Sequence, residues 1–131
     1  MNESKYDLVS YRVSRSLETL AEAKLLLNNS FWNASVNRIY YACYYVVIAL
    51  LLKKDIDTGT HKGVRMMFGL HFVQSGVVSK EDGRFFSDLF DRRQTGDYDD
   101  YVSFDEETVN KLFLRAETFV NKMIELIGKL E

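Results

Sequence analysis

Apolar residues recur at spacings of three and four along most of this chain, and polar residues fill the positions between them. That spacing is the period of an α-helix with one buried face. It predicts a first helix over about residues 6–27 and a second over about 32–53. Thr60 is placed to cap a short third helix, which ends by Gly76.

The second half of the chain continues the same pattern. Ser79 and Ser103 each precede an acidic residue by three positions, a spacing typical of a capping box that opens a helix. The fourth predicted helix ends at Gly96, and the fifth is long and amphipathic. No stretch alternates apolar and polar residues as a half-buried strand does. Since short joints connect long helices, we expect an all-α, up-and-down antiparallel bundle of four main helices and one short helix.

The second predicted helix is apolar on nearly all faces, especially between residues 40 and 48. A helix that is apolar all round is typically buried, so we expect it at the centre of the bundle. Arg38 and Asn37 lie near the entry to this stretch. A cation next to a buried segment is costly without a partner, so Arg38 is expected to have one.

Composition fits one soluble domain over residues 1–131, with 47% apolar and 27% charged residues and no proline. The longest apolar run, 46–52, is far shorter than a membrane span, and the first residues lack a signal-peptide pattern. We therefore predict a cytoplasmic protein without membrane contact. The single cysteine, Cys43, lies among tyrosines in an apolar helix, which favours an inert buried thiol.

Charge and tyrosine content bear on the partners. A net charge of −2 argues against coating nucleic acid by bulk electrostatics, so any RNA contact must come from a local cluster of cations. Eight tyrosines exceed what one small bundle usually needs, and aromatic residues are enriched at interfaces. We expect a homodimer, and the alternative is that these tyrosines lie at the edge of the core.

The segment 91–101 contains two arginines, a glycine and a cluster of acidic and aromatic residues. Arg93 follows Leu89 by four positions and Phe86 by seven, so its guanidinium is expected on the core-facing side. There it needs a carboxylate, phosphate or carbonyl partner, either within the chain, from Asp97 or Asp99, or from a ligand. The alternative is that both arginines only cap the end of the helix and belong to an ion-pair network.

The start of the third helix, at His61 and Lys62, is a candidate phosphate site, because it presents backbone donors and a cation. The alternative is simple capping with an exposed histidine. His71 lies about 280° farther around the helix, so the two histidines do not form a chelating pair. His71 is interpreted as a structural histidine with a satisfied side chain.

Metal and cofactor sites are not predicted. Asp97, Asp99 and Asp100 could hold magnesium through water, but their spacing is not diagnostic and acidic residues are common in turns. No zinc spacing, phosphate-binding glycine loop, nucleophile elbow or dinucleotide fingerprint occurs. These absences argue against ordinary hydrolases and dehydrogenases.

Three motifs resemble the HEPN domains, in the order in which that family has them. They are Ser35-x-x-Arg38-x-Tyr40-Tyr41-Ala42, Thr60-His61-Lys62-Gly63-Val64 and Arg92-Arg93-x-x-x-Asp97-Tyr98. The chain is similar over nearly its whole length to small stand-alone bacterial and archaeal HEPN proteins, which often accompany a minimal nucleotidyltransferase. The resemblance implies a dimer whose arginine motifs face a shared cleft. Family members include metal-independent ribonucleases, toxins neutralised by a nucleotidyltransferase, and versions that bind nucleotides or RNA without catalysis.

The chain departs from the nuclease signature, in which four to six residues separate an arginine from a histidine. Here that position is Tyr98, and a phenol with a reference pKa of about 10 carries protons poorly near neutrality. Cleavage is expected to be weak or absent unless His61 or His71 approaches the cleft. Tyr98 could instead stack on a ligand or be modified by a nucleotidyltransferase.

Three functions remain open from the sequence. The favoured one is a module that binds nucleotide, RNA or a nucleotidyltransferase partner through Arg92, Arg93, Asp97 and Tyr98, with Arg38, His61 and Lys62 as further ligand-binding residues. It would form part of a toxin–antitoxin-like system. The first alternative is an active metal-independent ribonuclease with Arg92, Arg93 and Tyr98 as catalytic residues. The second is a purely structural dimerisation bundle.

Overall fold

The computed structural model of the protein describes residues 3–98 and 103–130, and within these ranges every regular element is helical. The four long α-helices are α1 (Glu3–Asn28), α2 (Trp32–Lys53), α4 (Lys80–Tyr98) and α5 (Glu106–Lys129). The short helix α3 (His61–Phe68) continues into a π-helical turn, Gly69–Val73. The predicted all-α bundle of four main helices and one short helix is confirmed.

Helix ends follow local chemistry, and two of them correct the sequence prediction. The Ser79 hydroxyl accepts a hydrogen bond from the Asp82 N–H at 3.1 Å, as expected. Helix α5 is capped by Asp105 instead of Ser103, and the Asp105 carboxylate accepts from the Thr108 N–H at 2.8 Å. Helix α4 continues to Tyr98, so Gly96 lies inside the helix and does not end it.

The longer α4 changes the interpretation of the arginine pair. Its last turn contains no basic residue, because Arg92 and Arg93 lie more than a turn before Tyr98. The capping part of that alternative, in which the arginines stabilise the negative end of the helix dipole, therefore loses its geometric basis.

Helix α2 lies at the centre of the bundle and packs against α1, α4 and α5. By length and composition α2 could cross a membrane, but most of its apolar stretch is buried inside the bundle, as expected of a core helix. Two buried serines on either side of the α1–α2 contact bond to the opposite backbone. Ser16 donates to the Ala42 carbonyl at 2.6 Å, and Ser35 donates to the Ala23 carbonyl at 2.9 Å.

Cys43 lies in this central helix and is fully buried. Burial raises the pKa of its thiol well above the usual range, because a thiolate would be desolvated there. The predicted inert thiol agrees with this environment.

Candidate functional site

Side chains from three helices meet at the ring of Tyr41. The Arg38 guanidinium carbon lies 5.0 Å from the ring centroid and that of Arg93 lies 5.4 Å from it. The His61 ring contacts the same ring edge-on, with centroids 5.6 Å apart. Arg93 Nη2 also donates a hydrogen bond to the Tyr41 hydroxyl at 3.0 Å. We call Arg38, Tyr41, His61 and Arg93 the Tyr41 cluster.

The cluster forms where α3 and α4 place His61 and Arg93 next to the N-terminal half of α2. Arg38 and Tyr41 are three positions apart on α2 and therefore share one face. His61 is the first residue of α3, whose start is fixed by the Thr60 hydroxyl accepting from the Gly63 N–H at 2.9 Å. All four side chains are partly exposed, so a ligand can reach them from solvent.

His61 is held by two tyrosines of α2. Its ring stacks on that of Tyr44, with centroids 4.3 Å apart and planes 15° apart. Its Nδ1 lies 2.9 Å from the Tyr40 hydroxyl oxygen. Burial lowers the pKa of the His61 imidazole, and the positive charge of Arg93 lowers it further. Neutral imidazole is therefore the favoured form in the folded protein.

Tyr40 connects this cluster to the core. It is fully buried, and its ring stacks on Phe86 with centroids 6.1 Å apart. Burial raises the pKa of its phenol, so the hydroxyl keeps its proton and can donate it to His61 Nδ1. The contact is compatible with both neutral tautomers of His61: Nδ1 accepts from the phenol when Nε2 carries the ring proton, and Nδ1–H donates to the phenol oxygen when Nε2 is free.

Arg65 is a neighbouring cation that the sequence interpretation missed. It lies on α3 one turn after His61, with its guanidinium 4.3 Å from the Phe90 ring centroid. Its Nη1 donates to the Asp91 carboxylate at 3.3 Å and reaches the Ser87 hydroxyl at 3.5 Å. The i, i+4 spacing from His61 was the available signal, because it places both residues on one face of α3.

The structure brings only some of the predicted site residues together. Arg38 has partners, as expected of a cation at this position: the Asn37 side-chain oxygen accepts from its Nη2 at 2.8 Å, and Glu22 lies 3.6 Å from its Nη1. Arg92 and Lys62 are exposed and make no hydrogen bond or ion pair with the side chains that the structure describes. They therefore stand outside the Tyr41 cluster.

Several predictions concern residues whose side chains the structure does not describe. Asp97 and Tyr98 belong to α4 by their backbone, but their side chains lie outside the described part, as do Asp99, Asp100 and Tyr101 entirely. Within the described residues, no group of three or more histidine, cysteine and acidic side chains could hold a metal ion. His71 is exposed in the π-helical turn, so its interpretation as a satisfied structural histidine is wrong.

Comparison with known proteins gives consistent results. The HEPN domain profile matches residues 9–127. A UPF0332 protein of Thermotoga maritima is 44% identical over 131 residues, covering 100% of this chain and 98% of that protein. Two proteins of Methanocaldococcus jannaschii, each named "Putative toxin", are 32% identical over 123 residues and 35% identical over 113 residues. These alignments cover 88% and 86% of this chain, and 84% of each relative.

The helical architecture and the profile match agree with the resemblance carried by the three sequence motifs. The profile spans far more than half of the chain, and the relatives align over most of their own lengths. This chain therefore belongs to the HEPN domain family.

Proposed function

We propose that this HEPN domain binds the phosphate groups of RNA or of a nucleotide at the Tyr41 cluster. One observation carries the proposal: two guanidinium groups and an imidazole, from three different helices, converge on one partly exposed aromatic ring. One planar guanidinium group can donate two parallel hydrogen bonds to the oxygens of one phosphate. Aromatic rings stack on bases of any sequence.

Two relatives are named as toxins, and binding of RNA or of a nucleotide is compatible with such a role. Because the net charge is −2, binding of RNA must depend on where the cations lie on the surface. A domain of this charge gains little from non-specific attraction to the phosphate backbone, so binding should depend on a few residues. Substituting one of them should therefore have a clear effect.

The test is fluorescence anisotropy of a labelled single-stranded RNA titrated with wild-type protein, Arg93→Ala and Arg84→Ala. Arg84 is the matched control, because it is an exposed arginine on the same helix, α4, and the net charge changes equally. We expect Arg93→Ala to weaken binding about tenfold or more and to reduce the salt dependence by about one phosphate contact. Equal weakening by both variants would show that the cluster is not the binding site.

A second candidate function, metal-independent RNA cleavage, is favoured by the position of His61. The motif position that holds histidine in the nuclease branch is Tyr98 here, but His61 reaches the arginine cluster from α3. In the tautomer whose Nδ1–H donates to the Tyr40 hydroxyl oxygen, Nε2 of the neutral imidazole is free to accept the proton of a ribose 2′-hydroxyl as that oxygen attacks the phosphorus. The bond between phosphorus and the 5′-oxygen then breaks, leaving a cyclic phosphate, and the departing 5′-oxygen takes a proton from the imidazolium or from water to become a hydroxyl. Arg93 would stabilise the charged phosphorane between these two events.

Incubating the same RNA with protein in chelator distinguishes the two functions. Cyclic phosphate ends that disappear with His61→Asn but persist with His71→Asn would establish cleavage. His71 is the matched control because it is the other histidine of the chain and is exposed in the π-helical turn. RNA that the wild-type protein binds but does not cleave would rule out the cleavage function and support binding without catalysis.

The expected homodimer and the nucleotidyltransferase partner extend this proposal. Tyr6 and Tyr11 on α1 are 58% and 60% exposed, which supports an interface that covers aromatic residues. A partner that neutralises a toxin would have to cover or modify the region around the Tyr41 cluster. Sedimentation of the purified protein, with and without a co-expressed nucleotidyltransferase, tests both associations.

A further inference from the structure

A cavity of about 170 Å³ lies beside the Tyr41 cluster, between α1, α2 and the segment that follows α2. Its apolar walls come from Ile48 and Leu52 on α2 and from Ile56 on the connecting segment. The ion pair between Lys5 and Asp55 ties the start of α1 to this segment. The volume greatly exceeds that of one water molecule, but it is smaller than a typical site for a whole drug-sized ligand.

Tyr44 belongs to both places. It lines the cavity, and its ring stacks on His61 with the two centroids 4.3 Å apart. A phosphate at the cluster and a group in the cavity would therefore both lie next to Tyr44. Parts of a single nucleotide could occupy the two places at once.

The polar groups of the cavity also fit a nucleobase. Arg12 lines it, is partly exposed, and makes no hydrogen bond or ion pair within residues 3–98 and 103–130. Asp57 and Thr58 also line it and offer a carboxylate and a hydroxyl. A base has a flat apolar face for Tyr44 and Ile48, and edge groups that both accept and donate hydrogen bonds.

We infer that this cavity takes the base of the nucleotide whose phosphate binds at the Tyr41 cluster. The inference rests on the proposed function and adds a second subsite to it. The two subsites divide the recognition: the cluster holds the charged backbone, and the cavity holds the planar base. Arg12 is a binding residue of the second subsite.

Methyl NMR of the isoleucine side chains tests this inference directly, because the five isoleucines are well distributed. Ile48 and Ile56 line the cavity, whereas Ile124 and Ile127 lie on α5 and serve as controls. Adenosine monophosphate and ribose 5-phosphate are titrated separately. We expect adenosine monophosphate, but not ribose 5-phosphate, to shift the Ile48 and Ile56 methyl signals. Both compounds should shift the His61 ring signals.

The affinities provide a second measurement. We expect adenosine monophosphate to bind about tenfold or more tightly than ribose 5-phosphate, because base stacking is absent from the sugar phosphate. Arg12→Ala should reduce the ratio of the two affinities, whereas Arg15→Ala should leave that ratio unchanged. Arg15 is the matched control on α1, since it does not line the cavity and pairs with Glu18 at 3.0 Å.

A variant that fills the cavity, Ile56→Trp, keeps the test independent of Arg12. It should abolish the advantage of the nucleotide while leaving the affinity for ribose 5-phosphate unchanged. Equal affinities of the two compounds for wild-type protein, with unshifted Ile48 and Ile56 signals, would overturn the base subsite and leave the phosphate site standing. Failure of both compounds to shift His61 would overturn the proposed function and the base subsite together.

Discussion

Tyr41 is the residue on which the proposed site depends, and its sequence position gave little indication of this role. The sequence interpretation selected Arg93 because of its place on a buried face, and the structure gives it a hydroxyl partner on α2. The motif resemblance included Tyr41 but assigned it no function. A contact between residues 52 positions apart depends on how helices pack, which local periodicity does not specify.

The pH dependence of stability should report the environment of His61. Burial and Arg93 lower its pKa in the folded state below the ordinary value of about 6.5, so the unfolded chain binds this proton more readily. Between the folded pKa and about 6.5, the unfolded state therefore holds more protons, and stability rises with pH. Below the folded pKa the contribution of His61 to this slope disappears.

Urea unfolding of wild-type protein and His61→Asn at pH 5.5 and 7.5 measures this effect. We expect the wild type to gain more stability than the variant between the two pH values, because only the wild type has the imidazole in this environment. His71→Asn is the comparison for losing an exposed histidine. A His61→Asn protein with the full wild-type increase would contradict the assignment.

At the scale of elements, the start of α3 requires a glycine at position 63. A Cβ atom there would lie 2.2 Å from the Thr58 hydroxyl oxygen and 2.9 Å from that of Thr60. The first contact would force Thr58 to rotate, and the second would disturb the hydrogen bond that caps α3. Both changes would affect the position of His61, the next residue after the cap.

We predict that Gly63→Ala destabilises the fold by about 1–3 kcal/mol, the usual range for overpacking. Gly69→Ala provides the control, since a Cβ there meets nothing within 4 Å and the backbone is helical. Alanine there should be neutral or stabilising by up to about 1 kcal/mol. Thermal unfolding of the two variants tests this, and a Gly63→Ala protein as stable as Gly69→Ala would refute it.

Helices were the most predictable elements, and their ends were less so. The predicted bounds of α2 agree with the structure because its apolar stretch is long and ends in lysines. The end of α4 was misplaced because glycine is a common helix terminator, but it can also lie within a helix that tertiary contacts support. At α5, Asp105 and Ser103 are both good capping residues, and the serine was chosen for its capping-box spacing.

At the scale of the whole molecule, α4 and α5 are joined by a buried carboxylate. Asp82 is 3% exposed, accepts from Arg115 Nη2 at 2.6 Å and lies 3.4 Å from Lys122 Nζ. Burial would raise the pKa of Asp82, but its hydrogen bond with Arg115 and the nearby positive charges lower it on balance. The carboxylate therefore stays ionised and holds both helices.

We predict that Asp82→Ala costs about 1.5–3 kcal/mol, because it removes the charge-assisted hydrogen bonds to cations that are themselves partly exposed. Asp88→Ala on the exposed face of the same helix should cost much less. Urea unfolding gives both values. A similar loss for the two variants would mean that the Asp82 contacts do not contribute to the stability of the bundle.

The buried position of Cys43 also has a practical consequence for the chemistry of the folded protein. Because the only thiol lies at the centre of α2 with a raised pKa, thiol reagents should reach it only when the bundle opens. A cysteine introduced on the surface could then carry a spectroscopic label at a single place. The native thiol in turn reports on local unfolding, since the rate at which a thiol reagent modifies it measures how often the core opens.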